Sequence, residues 1–204
     1  ALSSMRVRYV TADINRPLNQ DYDKYDAVIV SFLNYDKVAS DIFELFDWVE
    51  DGGKVMISIR PDPSQTLNAE YRKLGIETIF TLLQNTHGVR FESEIFPGAL
   101  GASIGLDFFN HTSYPVDLEP DAVVHLISAD NREHPLLWQY DSGEGRFVVV
   151  NTDQFTTKIS RGILGAGFSL LFDTFAYPVI NSSVFFIDDF PGPFIPGTNE
   201  IIQA

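Results

Sequence analysis

The chain predicts an α/β domain of three layers, in which a mostly parallel sheet lies between helices and gives way to an antiparallel, strand-rich portion. Three observations carry this. Residues 22–60 read as strand, amphipathic helix, Gly-Gly, strand; residues 89–150 read as short apolar runs punctuated by Pro, Gly, Asp and Asn; residues 157–175 read as a helix apolar around most of its circumference. The first pattern is a βαβ unit, whose right-handed crossover places parallel strands beneath covering helices. With 45% hydrophobic, 13% aromatic and 21% charged residues, the 204-residue chain has the composition of a folded protein with a sizeable core.

In chain order, MRVRYV at 5–10 reads as a first strand, and YDKYDAVIVSF at 22–32 as one buried on both faces. Asp36 is placed to cap a helix whose stripe is Val38, Ile42, Leu45, Phe46 and Val49, ended by Gly52 and Gly53. KVMISIR at 54–60 is the next strand, stopped by Pro61 and Pro63. Ile42 and Phe46 are expected to be buried together with Val28, Ile29, Ile57 and Ile59, because the helical stripe must cover the sheet. A second helix is expected over 64–74, closed by Gly75. VRFESEI, SYPVDL, AVVHLIS, PLLWQYD and GRFVVVN follow as strands, with DSGEG at 141–145 a hairpin connection of about five residues. SSVFFIDDF at 182–190 is a last strand, and PGPFIPG after it is a turn-rich linker.

Fourteen Lys and Arg against 28 Asp and Glu leave a net charge of −14, which disfavours nucleic acid and anionic membrane surfaces as partners. The absence of cysteine excludes thiol catalysis, disulfides and thiolate metal sites from this sequence. No run approaches the roughly 18 apolar residues of a membrane span. A strand opening almost at once and an abrupt end lead us to read the sequence as a piece of a longer protein.

RGILGAG at 161–167 lies inside a helical pattern and lacks a Lys-Ser/Thr pair, so it reads as a close-packing surface and not a phosphate loop. His87, His111, His125 and His134 show no metal-binding spacing, no GxSxG elbow occurs, and local sequence sets no serine beside a histidine. FFIDDFPGP at 185–193 is the most specific stretch. Asp188 and Asp189 read locally either as a strand end before a turn, or as a general base and a metal ligand at the strand end where α/β proteins place their sites.

YDAVIVSF with its helix, VEDGGKVMISI, and PLLWQYDSGEGRFVVVNTDQF with the long apolar helix resemble the degenerate class I glutamine-amidotransferase-like domains attached to carbohydrate-active enzymes. The resemblance covers most of residues 5–177 and implies a Rossmann-like, flavodoxin-like sheet whose first strand and helix would lie before Met5. The turn that holds the nucleophilic cysteine in active amidotransferases corresponds here to Ile59-Arg60-Pro61-Asp62, which implies that this chemistry is absent. FFIDDFPGP resembles the first motif of polysaccharide deacetylases, in which Asp188 would be the catalytic base and Asp189 a metal ligand. Phe190 stands where that motif usually has glycine, and its His-x-x-x-His does not occur in these 204 residues.

The combination resembles the bacterial family catalogued as domain of unknown function 2194. It implies a non-catalytic accessory or binding domain over 5–177, and a linker with the first strand of a deacetylase-like domain over 178–204. It further implies polysaccharide as partner, no cofactor in this stretch, a divalent metal in a longer, deacetylase-like parent protein, and an extracellular or cell-surface setting. The alternative is a carboxylate- and metal-dependent hydrolase of a small molecule or acetylated glycan, using Asp62, Asp153 and Asp188.

Overall fold

A computed structural model describes residues 2–3, 5–16, 18, 20–80, 82–105, 110–153 and 158–176. Asp188, Asp189 and the whole of the expected second segment, 178–204, lie outside the described residues. The elements are β1 (Val28–Val30), α1 (Ala39–Glu50), β2 (Lys54–Ile57), α2 (Gln65–Glu70), β3 (Ile76–Ile79), β4 (Gln84–His87), β5 (Val89–Phe91), β6 (Ser103–Ile104), β7 (Asn110–Ser113), β8 (Val116–Leu118), β9 (Val123–Ser128), β10 (Pro135–Ser142), β11 (Gly145–Val150) and α3 (Lys158–Ser169). A seven-stranded sheet has the order β1-β2-β11-β10-β9-β5-β6. β2 pairs in parallel with β1 and β11 on its two sides, and from β11 onward every pairing is antiparallel. Two small antiparallel sheets, β3-β8 and β4-β7, stand beside it. The mixed α/β class, with parallel strands and an antiparallel portion, is the one the sequence predicts.

The layers follow from the pleat, since successive strand residues face opposite sides. Val55, Ile57, Phe147 and Val149 join Ile42, Leu45, Phe46 and Val49 of α1 in one core, while Met56, Val148 and Val150 join Ile163 and Phe168 of α3 in the other. The sheet thus has α1 and α2 on one face and α3 on the other. RGILGAG lies in α3, where a Cβ at Gly167 would meet Met56 and Leu137 at 3.0 and 3.5 Å, so Gly167 is the glycine at which this helix lies close to the sheet. No helix among the described residues is long and apolar enough to cross a membrane.

The pleat also corrects the expected core. Ile42, Phe46 and Ile57 are buried in the α1 core with Val28 packed against them, but Ile29 faces the α3 core and half-buried Ile59 belongs to neither. Asp36 caps a different helix from the one expected. Residues Tyr35–Val38 form a 3-10 turn and α1 begins at Ala39, while the Asp36 carboxylate accepts from the Thr66 and Gln65 backbone N–H groups at the start of α2, at 2.9 and 3.3 Å. Residues 5–10 form no strand, because their backbone closes locally, Arg6 and Val7 donating to Ser3 and Leu2, instead of joining a ladder. The hairpin connection is shorter than expected: β10 runs to Ser142 and β11 starts at Gly145, leaving Gly143-Glu144 as the turn. Its glycines are required, since Gly143 has φ 61° and a Cβ on Gly145 would collide with the Val49 and Gly53 carbonyls where the hairpin tucks under the end of α1.

Candidate functional site at the carboxyl ends of the parallel strands

In an α/β sheet the crevice outside the carboxyl ends of the parallel strands is where ligands are bound. Here the chain leaving β2 stays in register with both neighbours beyond the formal strand end. Ser58 N and Oγ both donate to the Val30 carbonyl, Arg60 N donates to the Thr152 carbonyl at 3.1 Å, and Asp62 N to that of Leu33 at 2.8 Å. The Arg60 side chain is buried there, only 5% exposed. Its Nη1 donates to the Pro61 carbonyl at 3.1 Å and its Nη2 reaches Thr112 Oγ1 at 3.5 Å, while the guanidinium lies 5.2 Å from the Tyr114 ring centre. The Asp62 carboxylate is 3.9 Å away, and the buried Nε has no acceptor among the described residues.

β7 and the residues after it close this edge. Asp153 Oδ1 accepts from Thr112 N at 2.9 Å, and Asn151 clamps the Tyr114 backbone, its Oδ1 accepting from Tyr114 N at 3.0 Å and its Nδ2 donating to Tyr114 O at 2.9 Å. Tyr114 Oη donates to the Pro61 carbonyl at 3.0 Å, and burial pushes its phenol pKa up against the opposing pull of Arg60. A buried cation needs most of its donors satisfied, and one left orphaned is costly. Pro61, Thr112 and Tyr114 hold Arg60, and its buried Nε is the guanidinium nitrogen left without an acceptor among the described residues.

The structure places the sequence-predicted residues as follows. Arg60 and Asp62 are neighbours at the edge, Asp153 approaches it through Thr112, and Asp188 and Asp189 lie outside the described residues. His111 and His134 are linked through Thr86 and Ser113, but among the described residues no group of three His, Cys, Asp or Glu side chains is arranged to hold a metal. Sequence reading missed that folding does set serines beside histidines. Ser93 Oγ lies 2.6 Å from His125 Nδ1, whose Nε2 lies 3.2 Å from Gln139 Oε1, and Ser113 Oγ lies 3.0 Å from His134 Nδ1. Thr86 Oγ1 adds a contact to His111 Nδ1 at 2.9 Å, while His111 Nε2 donates to the Gly88 carbonyl at 3.0 Å. Burial pushes the pKa of His111, His125 and His134 below the ordinary histidine value, so these imidazoles are neutral at pH 7. Only the strand patterns around 86, 111, 125 and 134 hinted at this, because the partners lie 21 to 32 residues apart.

Two overlapping stretches, residues 1–97 and 84–204, match the family described as an uncharacterised protein conserved in bacteria (DUF2194). The chain belongs to this family. A comparison with curated proteins gives no match. Among solved structures, the DUF2194 chain is similar to Cytoplasmic Protein STM3548 from Salmonella typhimurium, at 13% identity and a TM-score of 0.53, over 82% of this chain and 77% of that one. It is also similar to the exo-beta-1,4-mannosidase Op5Man5 from Opitutaceae bacterium strain TAV5, at 18% identity and a TM-score of 0.45, over 82% of this chain and 27% of that one. A polyextremophilic beta-galactosidase from the Antarctic haloarchaeon Halorubrum lacusprofundi matches at 12% identity and a TM-score of 0.48, over 75% of this chain and 23% of that one. The DUF2194 chain thus spans about a quarter of either glycosidase, and at 13% identity its likeness to STM3548 is one of fold.

Proposed function

We propose that this DUF2194 chain is a non-catalytic accessory domain that binds or positions polysaccharide for a longer, deacetylase-like bacterial protein. The observation that carries this reading is Arg60. It stands in the turn where the resemblance would place a nucleophile, its guanidinium is buried against Tyr114, and β7 covers it. The carboxylates an enzyme would need there have structural partners, Asp62 beside the guanidinium and Asp153 on Thr112 N. Both carboxylates thus stand beside groups of the fold, Asp62 at 3.9 Å from the guanidinium and Asp153 through one oxygen. In the longer protein, Asp189 would bind the metal with downstream histidines, and Asp188 would take the proton from metal-bound water.

The test is release of acetate from acetylated oligosaccharides, with zinc titrated by calorimetry. This chain should release none above background and bind zinc weakly, whereas a protein extended past Ala204 should bind it tightly and lose that binding in Asp189→Asn. Metal-dependent acetate release by the 204-residue chain, abolished in Asp62→Asn or Asp153→Asn, would overturn the reading in favour of the hydrolase.

A further inference from the structure

The strand edge is covered, but another part of the surface is open. Between the β3-β8 sheet and the turn joining β9 to β10 lies a groove of about 460 Å³, bordered by Phe80, Pro115, Asp117, Arg132, Glu133 and His134 among others. We propose that this groove is a sugar-binding site that takes one or two uncharged sugar units, with a ring face stacked on Phe80. This rests on the accessory-domain reading and names where its ligand is held.

Four observations point to that ligand. Phe80 is 52% exposed although phenylalanine has no polar handle to bring it to water, and its backbone is fixed by donation to the Pro115 carbonyl at 3.0 Å, continuing the β3-β8 ladder. A large apolar ring held in place at the rim of a groove offers a flat surface for the C–H face of a pyranose.

Second, two of the three charges lining the groove, Arg132 and Glu133, are paired within the protein, and the third is the acidic Asp117. Arg132 contacts Asp130 at 3.4 Å and Asn85 O, and Glu133 holds Arg90 at 2.8 Å, so neither is left to recognise a charged ligand. Exposed Asp117 and the net charge of −14 act against an anionic one.

Third, the groove is built in advance. Glu133 has φ 51°, a left-handed conformation unusual outside glycine, and the turn around it is tied by Arg132 N to Asp130 Oδ1 at 3.1 Å, His134 N to Ser128 Oγ at 2.9 Å and Ser128 N to His134 O at 2.8 Å. Strain held by a surrounding network is characteristic of sites that must keep their shape.

Fourth, His134 is one of the residues lining the groove. Its Nδ1 is engaged by Ser113, which leaves Nε2 without a protein partner among the described residues. Because the Ser113 hydroxyl can either donate to Nδ1 or accept from it, the opposite nitrogen can serve as donor or acceptor. A sugar hydroxyl, itself both donor and acceptor, is matched by such a group. The volume is also within the range of small-ligand sites, roughly 300 to 1,000 Å³.

The experiment uses the 204-residue chain, three neutral trisaccharides (of N-acetylglucosamine, mannose and galactose) and trigalacturonate as the charged counterpart, with calorimetry and amide NMR shift mapping. At least one neutral trisaccharide should bind, with shifts centred on Phe80, Asp117 and His134, and trigalacturonate at least about tenfold more weakly. Phe80→Ala should weaken binding by about tenfold and Phe80→Tyr should retain it, since a stacking contact of about 1 to 1.5 kcal/mol corresponds to that factor. Because Phe80 is exposed, these variants should keep the parent's unfolding curve. Failure of all three neutral sugars to bind, tighter binding of trigalacturonate, or binding that Phe80→Ala leaves unchanged would each overturn the groove. The last would leave the accessory reading intact with its site elsewhere. Acetate release from acetylated sugars bound in the groove would leave the groove intact and overturn the accessory reading.

Discussion

The parallel and the antiparallel parts of this molecule are held together by different physics. In the parallel half, the interior side chains of β1, β2, α1 and β11 are apolar, and the buried polar groups Arg60, Asn151 and Thr152 lie just beyond the strand ends. In the antiparallel half, Thr86, His111, Ser113, His125 and Ser128 are buried within or beside the ladders and joined by hydrogen bonds. The cause is geometric. Parallel strands covered by helices on both faces can bury every side chain in hydrocarbon. Four-residue strands such as β4 and β7 have little apolar surface to bury, and depend on side-chain bonds to fix their register. One half should therefore respond to volume and the other to protonation.

The largest effect is expected from removing volume in the parallel half. Phe46 is fully buried, with its ring 4.9 Å from that of Phe147 and 6.5 Å from that of Tyr35, both at edge-to-face angles. Phe46→Ala should destabilise by about 3 to 5 kcal/mol, the range for truncating a buried aromatic. Urea unfolding should show that loss undiminished between pH 7 and 5.5, since no ionisable group is removed. A loss under about 1 kcal/mol would mean that this half tolerates cavities and that the contrast is wrong.

This division also explains what could be read in the sequence. The α1 stripe, Gly75 after the second helix (φ 75°) and the β9 to β11 runs were legible because periodicity and glycine chemistry act over a few residues. Asp36 misled because a capping carboxylate is equally suited to any nearby helix start, and here the start 30 residues on is the one it reaches. Ile29 misled because an unbroken apolar run does not show which residues share a face. Arg60 was visible as a residue without a nucleophile's chemistry, but its burial depends on Thr112 and Tyr114, more than 50 residues away. The groove left no local signal, since Phe80 and His134 meet only after β3, β8, β9 and β10 have assembled.

The next effect in size belongs to the antiparallel half. Burial lowers the pKa of His125, so the unfolded chain, with a pKa near the ordinary 6.5, binds a proton that the folded chain refuses. Stability then falls as pH drops through about 6.5, because the unfolded state binds more protons there. Between pH 7 and 5.5 the expected loss is at most about 1 kcal/mol for each such histidine, and His111 and His134 share its sign. His125→Gln, which cannot titrate, should show a pH-dependent loss smaller by about that amount when urea unfolding is compared at the two pH values. An unchanged pH dependence would show that folding does not shift the His125 pKa. Asp130, which faces His111 and His134, does not obscure this window, since donation from Ser128, Arg132 and His87 holds its carboxyl below the ordinary carboxylate range despite its burial.

The smallest effect tests whether the closed strand edge is built redundantly. The start of α2 has two caps: Ser64 Oγ accepts from Leu67 N at 3.1 Å, and Asp36 accepts from Thr66 N at 2.9 Å. Losing an N-cap serine costs about 0.5 to 2 kcal/mol where it is the main cap. With Asp36 still holding the neighbouring N–H groups, Ser64→Ala should fall at the low end, about 0.5 kcal/mol. In an Asp36→Asn background the same substitution should cost more, because the amide oxygen that replaces the carboxylate is a weaker acceptor. A double-mutant cycle in urea measures the difference. Strict additivity would show that the two caps act independently, and that Asp36 ties the loop after β1 to α2 without sharing the work of holding the helix start.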